Sequence, residues 1–155
     1  MSAKYLAFLC VCMAVAGGWL AAPALPAAPG KAPSGRFAIG NVGKTVLDRA
    51  NGLVWERGFS VQPLAWQPAK DRCSQNTPGL PGSGWHLPNR AELLTLVDSA
   101  AFSPAIDPVF TATPSDNFWS ATPLAKSAAV WLVSFKTGEA ATVDATFAAF
   151  GRCVR

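Results

Sequence analysis

The sequence holds one histidine, His86, in 155 residues, and only 14% of its side chains are charged. A lone histidine excludes metal centres built on several imidazoles, because zinc sites gather three or four His, Cys or carboxylate ligands. No Gly-x-Ser-x-Gly occurs, so the strained turn that exposes a nucleophilic serine in α/β-hydrolases is missing. No Cys-x-x-Cys spacing occurs, which removes the usual dithiol redox motif. There is no dense Lys/Arg run either, and nucleic acid is not expected as a partner.

What is present starts at the N-terminus. Met1 to Lys4 is a short basic start, and the next 18 residues, 5–22, are uncharged and almost all apolar. "APALPAAPG" follows, small residues with prolines. That is the layout of a secretory signal peptide, read here as residues 1–24 with cleavage between 24 and 28. The apolar run is also just long enough to span a bilayer as an uncleaved anchor, the one membrane contact expected. Lipid attachment at Cys10 or Cys12 is disfavoured by the bulky residues before each. Loss of Lys4 with the signal takes the net charge from +4 to 12 − 9 = +3. A mildly basic surface is compatible with acidic glycans or an anionic envelope without demanding either.

With the signal removed, Cys73 and Cys153 remain, an even pair in an exported chain, and one disulfide is the default reading. It would close a loop of 80 residues, worth roughly 4 kcal/mol by loop-closure entropy.

Residues 25–43 read as a flexible linker, with order beginning at Lys44. In "KTVLDRANGLVWER", β-formers flank Asn51-Gly52, a tight-turn pair in which both residues tolerate positive φ. A hairpin over 45–48 and 53–56 follows. "AWQPAKDRCSQN" predicts a short helix that admits Pro68 only in its first turn. "SGWHLPNRAELLTLVD" predicts a corner. Pro88 keeps Leu87 extended, Asn89 and Glu92 have the spacing of a capping box, and Leu93, Leu96 and Val97 form an apolar stripe. Trp85 and Leu87 share one side of the extended entry, so they are expected to pack over that stripe. In this reading Trp85, His86, Pro88, Asn89 and Glu92 are structural.

"AAVWLVSF", "KTGE" and "AATVDATF" predict a second hairpin, turning at Gly138. Alternation puts Val130, Leu132 and Ser134 on one face and Trp131, Val133 and Phe135 on the other. Both faces are partly apolar, so the strand should be central. "FWSAT" and "AFGRCVR" add further strands. Two short helices and mostly antiparallel strands make the fold class α+β.

The blocks "TVLDRANGLVWER", "GWHLPNRAELLTLVD", "FWSATPLA…AVWLVSFKTGEA" and "RCVR", in that order, resemble the Lcl C-terminal-domain family, named after a bacterial collagen-like adhesin. The resemblance covers residues 44–155. It implies a fold similar to the C-type-lectin-like and formylglycine-generating-enzyme-like group: twisted antiparallel strands flanked by two helices. It also implies the pairing of Cys73 with Cys153. The family motif usually has Arg where this chain has His86, and His offers fewer donors than the guanidinium fork. The oxidising relatives of that fold group use two reactive cysteines close together near the C-terminal end. Here only Cys153 lies there, so the resemblance implies no such activity.

By analogy with lectin-like folds, recognition is assigned to residues 99–127, with Asp116, Asn117, Trp119 and Lys126 as candidate ligand-binding residues. For Trp119 and Trp131 themselves the favoured reading is core, since a strand tryptophan normally buries most of its area. No metal or other cofactor is expected, although Asp116, Asn117 and Ser120 are oxygen ligands of the kind calcium takes. The resulting expectation is a secreted, periplasmic or cell-surface module that binds a glycan or a surface protein without catalysis. An envelope structural or self-associating protein is the alternative. An enzyme using two of Asp98, Asp107, Asp116 and Asp144 is the remote one.

Overall fold

A computed structural model describes residues 35–155 of the chain. The expected signal, its cleavage zone and residues 25–34 of the linker lie outside the described residues. The fold is α+β: two three-stranded antiparallel sheets, two short helices and one disulfide.

The first sheet has the order β1 (Phe37–Ile39), β2 (Thr45–Asp48), β3 (Val54–Glu56). β1 falls within the stretch read as flexible linker, so that reading is corrected here. Pairing with β2 holds it, from Phe37 opposite Asp48 to Ile39 opposite Val46. Three residues carry too little pattern to be read without the partner strand. The turn between β2 and β3 also differs from expectation. Gly52 has φ +78°, but Asn51 does not enter the left-handed region. Instead the Asp48 carboxylate accepts from Ala50 N–H at 3.0 Å, and Gly52 N–H donates to Asp48 C=O at 2.8 Å. Asn51 Oδ1 accepts from Leu53 N–H at 3.0 Å. Side-chain acceptors thus replace the second positive-φ residue.

The helix α1 (Trp66–Ser74) carries Pro68 in its first turn and has no side-chain N-cap. Trp66 N–H donates to Ala145 C=O at 3.0 Å, so a distant backbone group fills the place of a cap. The helix α2 (Arg90–Leu94) has the full capping box: Glu92 N–H to Asn89 Oδ1 and Asn89 N–H to Glu92 Oε2, both 2.8 Å.

The second sheet has the order β4 (Asn117–Pro123), β5 (Ala129–Ser134), β6 (Ala140–Asp144). β5 is central, as its two apolar faces require. Gly138 turns the β5–β6 hairpin at φ +81°, and a Cβ there would lie 2.7 Å from Val97 Cγ1, so the position admits only glycine.

The core lies on both faces of this sheet. Phe118, Val133 and Phe135 pack with Val46, Trp55, Leu93, Leu96, Ile106, Phe110 and Val154. Trp119, Val130 and Leu132 pack with Ala69, Cys73, Leu80, Trp85, Leu87, Ala149 and Cys153. Trp85 and Leu87 therefore belong to the second cluster, and their expected packing over the Leu93–Leu96 stripe does not occur. The sheet separates the two.

The C-terminal residues stitch the parts together. Phe150 bridges to Phe118 in β4, and Val154 bridges to both Trp55 in β3 and His86 in the corner. Cys153 is bonded to Cys73 of α1, with their Cα atoms 5.3 Å apart.

Candidate functional site

The corner before α2 fixes the first residue of that helix over the second sheet. Ala121 N–H donates to Pro88 C=O at 2.7 Å, and Arg90 N–H donates to Thr122 Oγ1 at 2.9 Å. These bonds, with the capping box, set where Arg90 leaves the backbone. Its guanidinium lies over the indole of Trp131, 4.0 Å from the ring centroid. Trp131 stands mid-strand in β5 and is half-buried. A cation this close to an indole face is held electrostatically as well as by contact. Arg90 Nε is buried and has no partner among the described residues. Asn89, Arg90, Ala91, Leu94 and Thr122 line a groove of about 380 Å³ beside this pair. The groove combines an apolar floor with an amide at the N-cap of α2, a hydroxyl on β4 and a stacked cation on α2. Such a surface suits a ligand with an apolar face and a few polar groups.

The residues expected to bind a ligand do not converge. Asp116 and Asn117 sit where β4 begins, and Lys126 lies in the turn beyond its end. The seven residues of β4 separate them, about 20 Å of strand. Trp119 is fully buried, and its indole N–H donates to Leu64 C=O at 2.7 Å. It is a core residue, so its assignment as a binding residue is corrected. Ser120 is buried too, its hydroxyl committed to Trp131 C=O at 2.8 Å, and it does not join Asp116 in an oxygen cluster. Alternation explains the exchange of roles: Trp119 faces the interior of the second cluster, whereas Trp131 faces α2 and stays half-open. The sequence singled out neither Arg90 nor Thr122. The available signal was Arg90 directly after a capped Asn89, which ties its position to the helix start.

Of the corner residues, Trp85 and Pro88 are buried and Asn89 and Glu92 form the cap. His86 contributes its backbone, which exchanges two 2.9 Å hydrogen bonds with Val154. Its side chain is 49% exposed, with Nδ1 3.1 Å from Gly84 C=O and Nε2 3.6 Å from the Glu92 carboxylate. It links strand entry and helix cap.

The four carboxylates weighed for glycosidase chemistry each accept a nearby backbone N–H: Asp98 from Ala100, Asp107 from Val109, Asp116 from Asn117 and Asp144 from Thr146. Asp98 and Asp107 also line a small cavity of about 150 Å³ with Arg36. Arg36 is engaged there by buried Asp48 at 2.9 and 2.6 Å and by Thr95 C=O at 2.8 Å. Burial pushes the Asp48 carboxyl up. The Arg36 hydrogen bonds and charge, together with the Ala50 N–H, outweigh that and hold it below its ordinary value.

A second ion pair braces the disulfide. Arg72 donates through both terminal nitrogens to Glu56, at 2.8 and 2.5 Å, and Glu56 also accepts from Cys153 N–H at 3.1 Å. Arg72 Nη1 lies 3.2 Å from Cys153 Sγ.

The order of these elements agrees with a comparison against known families: residues 44–155 match the model of the Lcl C-terminal domain. The chain belongs to the Lcl C-terminal domain family. The match takes in both helices, β2 to β6 and the disulfide of this Lcl-type domain, and β1 precedes it. No curated protein matches the chain.

Proposed function

We propose that this Lcl-type domain is an exported, non-catalytic binding module of lectin-like fold that recognises a glycan or a surface protein through the Arg90–Trp131 groove. One observation carries the reading: a half-open indole with a guanidinium stacked on it, set beside Asn89 and Thr122 on elements held by caps and strand pairing. Ala91 and Leu94 suit the apolar face of a sugar, and the Arg90 guanidinium, held in place on Trp131, suits its polar edge together with the Asn89 amide and the Thr122 hydroxyl. A secreted, periplasmic or cell-surface location is supported by the buried disulfide, which is compatible with an oxidising compartment. No cofactor and no nucleic acid belong to this reading.

The test is an array of neutral and acidic glycans probed with the oxidised protein and with Trp131→Ala. Binding that falls at least tenfold in the variant supports the groove. Silence across the array, with the protein folded, removes the glycan half of the proposal.

A second reading, an envelope or self-associating protein, draws on β1. It is an edge strand of the first sheet; its own Ile39 is 50% exposed, and Leu47 of the neighbouring β2 is 38% exposed. Open apolar edges pair readily with other chains. Crosslinking at native abundance separates the two: multimers without added ligand favour self-association.

A further inference from the structure

Residues 103–113, between α2 and β4, belong to neither sheet, yet their backbone is held from several sides. Ser103 N–H donates to Lys136 C=O at 3.2 Å, Ala105 N–H to Phe135 C=O at 2.6 Å and Asp98 N–H to Ala105 C=O at 3.1 Å. Arg57 Nε donates to Val109 C=O at 3.0 Å. Ser103 and Ala112 both hold left-handed backbone, at φ +51° and +56°. The Ser103 hydroxyl is bonded to that of Ser115, but Ala112 has no polar side-chain atom to offset the strain. Non-glycine residues keep such angles only where their surroundings impose them, and they gather at ligand sites.

Held in this way, the segment walls a cavity of about 380 Å³, within the size range of ligand pockets. Pro104, Ile106, Pro108, Phe110 and Ala112 make it mostly apolar. The Thr113 hydroxyl, also in the lining, is engaged on both sides. It donates to Phe110 C=O at 2.7 Å and accepts from Nη2 of the fully buried Arg152 at 2.6 Å. The other polar side chain is Asp107. Its Oδ1 accepts from Val109 N–H at 2.8 Å, and its Oδ2 has no hydrogen-bond partner among the described residues. Among those residues no Lys, Arg or His lines this cavity. Asp107 also lines the smaller cavity beside Arg36 and Asp98, but Arg36 is committed to Asp48 through Nε and Nη2. Three carboxylates stand against one guanidinium here, on a chain whose net charge is +4.

A locally negative pocket with apolar walls favours an organic cation. Phe102, two residues before Pro104, is 70% exposed and offers an apolar contact that a partner polypeptide would cover. The single open oxygen decides which cation. A guanidinium fork uses both oxygens of a carboxylate, whereas an ammonium is a point charge on a flexible apolar stem and needs only one.

We infer that the 104–113 pocket takes a lysine side chain of a partner polypeptide, with its stem against Pro104, Ile106 and Pro108, its ammonium on Asp107 Oδ2, and an apolar neighbour of that lysine over Phe102. The site is separate from the Arg90–Trp131 groove and does not depend on the function proposed there.

The probe is the acetylated, amidated peptide Ala-Leu-Lys-Ala, titrated into isotope-labelled protein and followed by amide NMR shifts. The shifts should concentrate on residues 102–113. Norleucine in place of lysine keeps the stem and drops the charge, and should bind at least about tenfold more weakly. Arginine should also bind more weakly than lysine. Asp107→Asn keeps an acceptor for Val109 N–H and should lose the same factor as norleucine. If that variant does not fold, the lysine and norleucine titrations of the wild type decide alone. Norleucine equal to lysine, arginine tighter than lysine, shifts centred outside the pocket, or no binding by any of the peptides would each overturn the inference. So would butylammonium binding as tightly as the peptide, which would make the ligand a free amine. A dimer that forms without peptide and excludes it would put a second copy in the pocket and overturn the inference as well.

Discussion

Replacing Cys73 and Cys153 together by alanine removes the one covalent link between α1 and the C-terminal residues. The bridge spans a sequence separation of 80 residues. Loop-closure entropy for that length amounts to about 15 cal/mol/K in the unfolded chain, or about 4.5 kcal/mol at 25 °C. Both sulfur atoms are fully buried among Ala69, Leu80 and Trp85. Their loss therefore adds about 1 kcal/mol of packing. The sum, about 5.5 kcal/mol, approaches the whole stability of an ordinary domain. For a domain of this size it corresponds to a fall in melting temperature of about 20 °C. Guanidinium titration followed by tryptophan fluorescence measures it, because Trp85 and Trp119 lie in the same cluster as the bridge. The variant should also show a steeper denaturant dependence, since its unfolded state is no longer looped. A loss under 2 kcal/mol with an unchanged slope would refute the view that the bridge acts by closing the loop.

Three further outcomes test other parts of the structure. Glu56→Gln strips the carboxylate from a buried cluster that also contains Arg72 and lies within the field of Arg152, and should cost about 3–5 kcal/mol in urea unfolding. Asp48 is a carboxylate whose folded pKa is depressed, so its contribution is complete above the ordinary value of 3.8 and disappears as pH falls through the lower folded value. Asp48→Asn should flatten the stability profile in that acid window while lowering stability at neutral pH, measured as melting temperature against pH. Asn89→Ala removes one arm of the capping box and should cost about 1 kcal/mol, read from thermal unfolding.

The features legible from sequence were either local or forced by scarcity. Asn89 and Glu92 cap a helix start three residues apart, and that chemistry needs no distant partner. Gly52 and Gly138 mark turns because backbone at positive φ tolerates little else. Mixed apolar faces identified β5 as a central strand. Cys73 and Cys153 were paired by elimination once the N-terminal cysteines were set aside. β1 was missed because its stability comes from Asp48 and Val46 across the pairing, not from its own three residues.

The candidate site was mostly illegible. Trp119 and Trp131 have similar local surroundings in sequence, yet one is sealed against Leu64 and the other opens beside α2. Their difference depends on which face of the sheet each strand register turns toward the helix. Likewise nothing near Arg152 marks it as a buried cation. Its burial follows from Phe118 pairing with Phe150 and Trp55 with Val154, contacts between residues far apart in the chain. The sequence alone determined turns, caps, the cysteine pair and the α+β class, because each rests on short-range geometry or on counting. Only the tertiary structure decided which aromatics and charges face solvent, because exposure is set by long-range packing that no local stretch encodes.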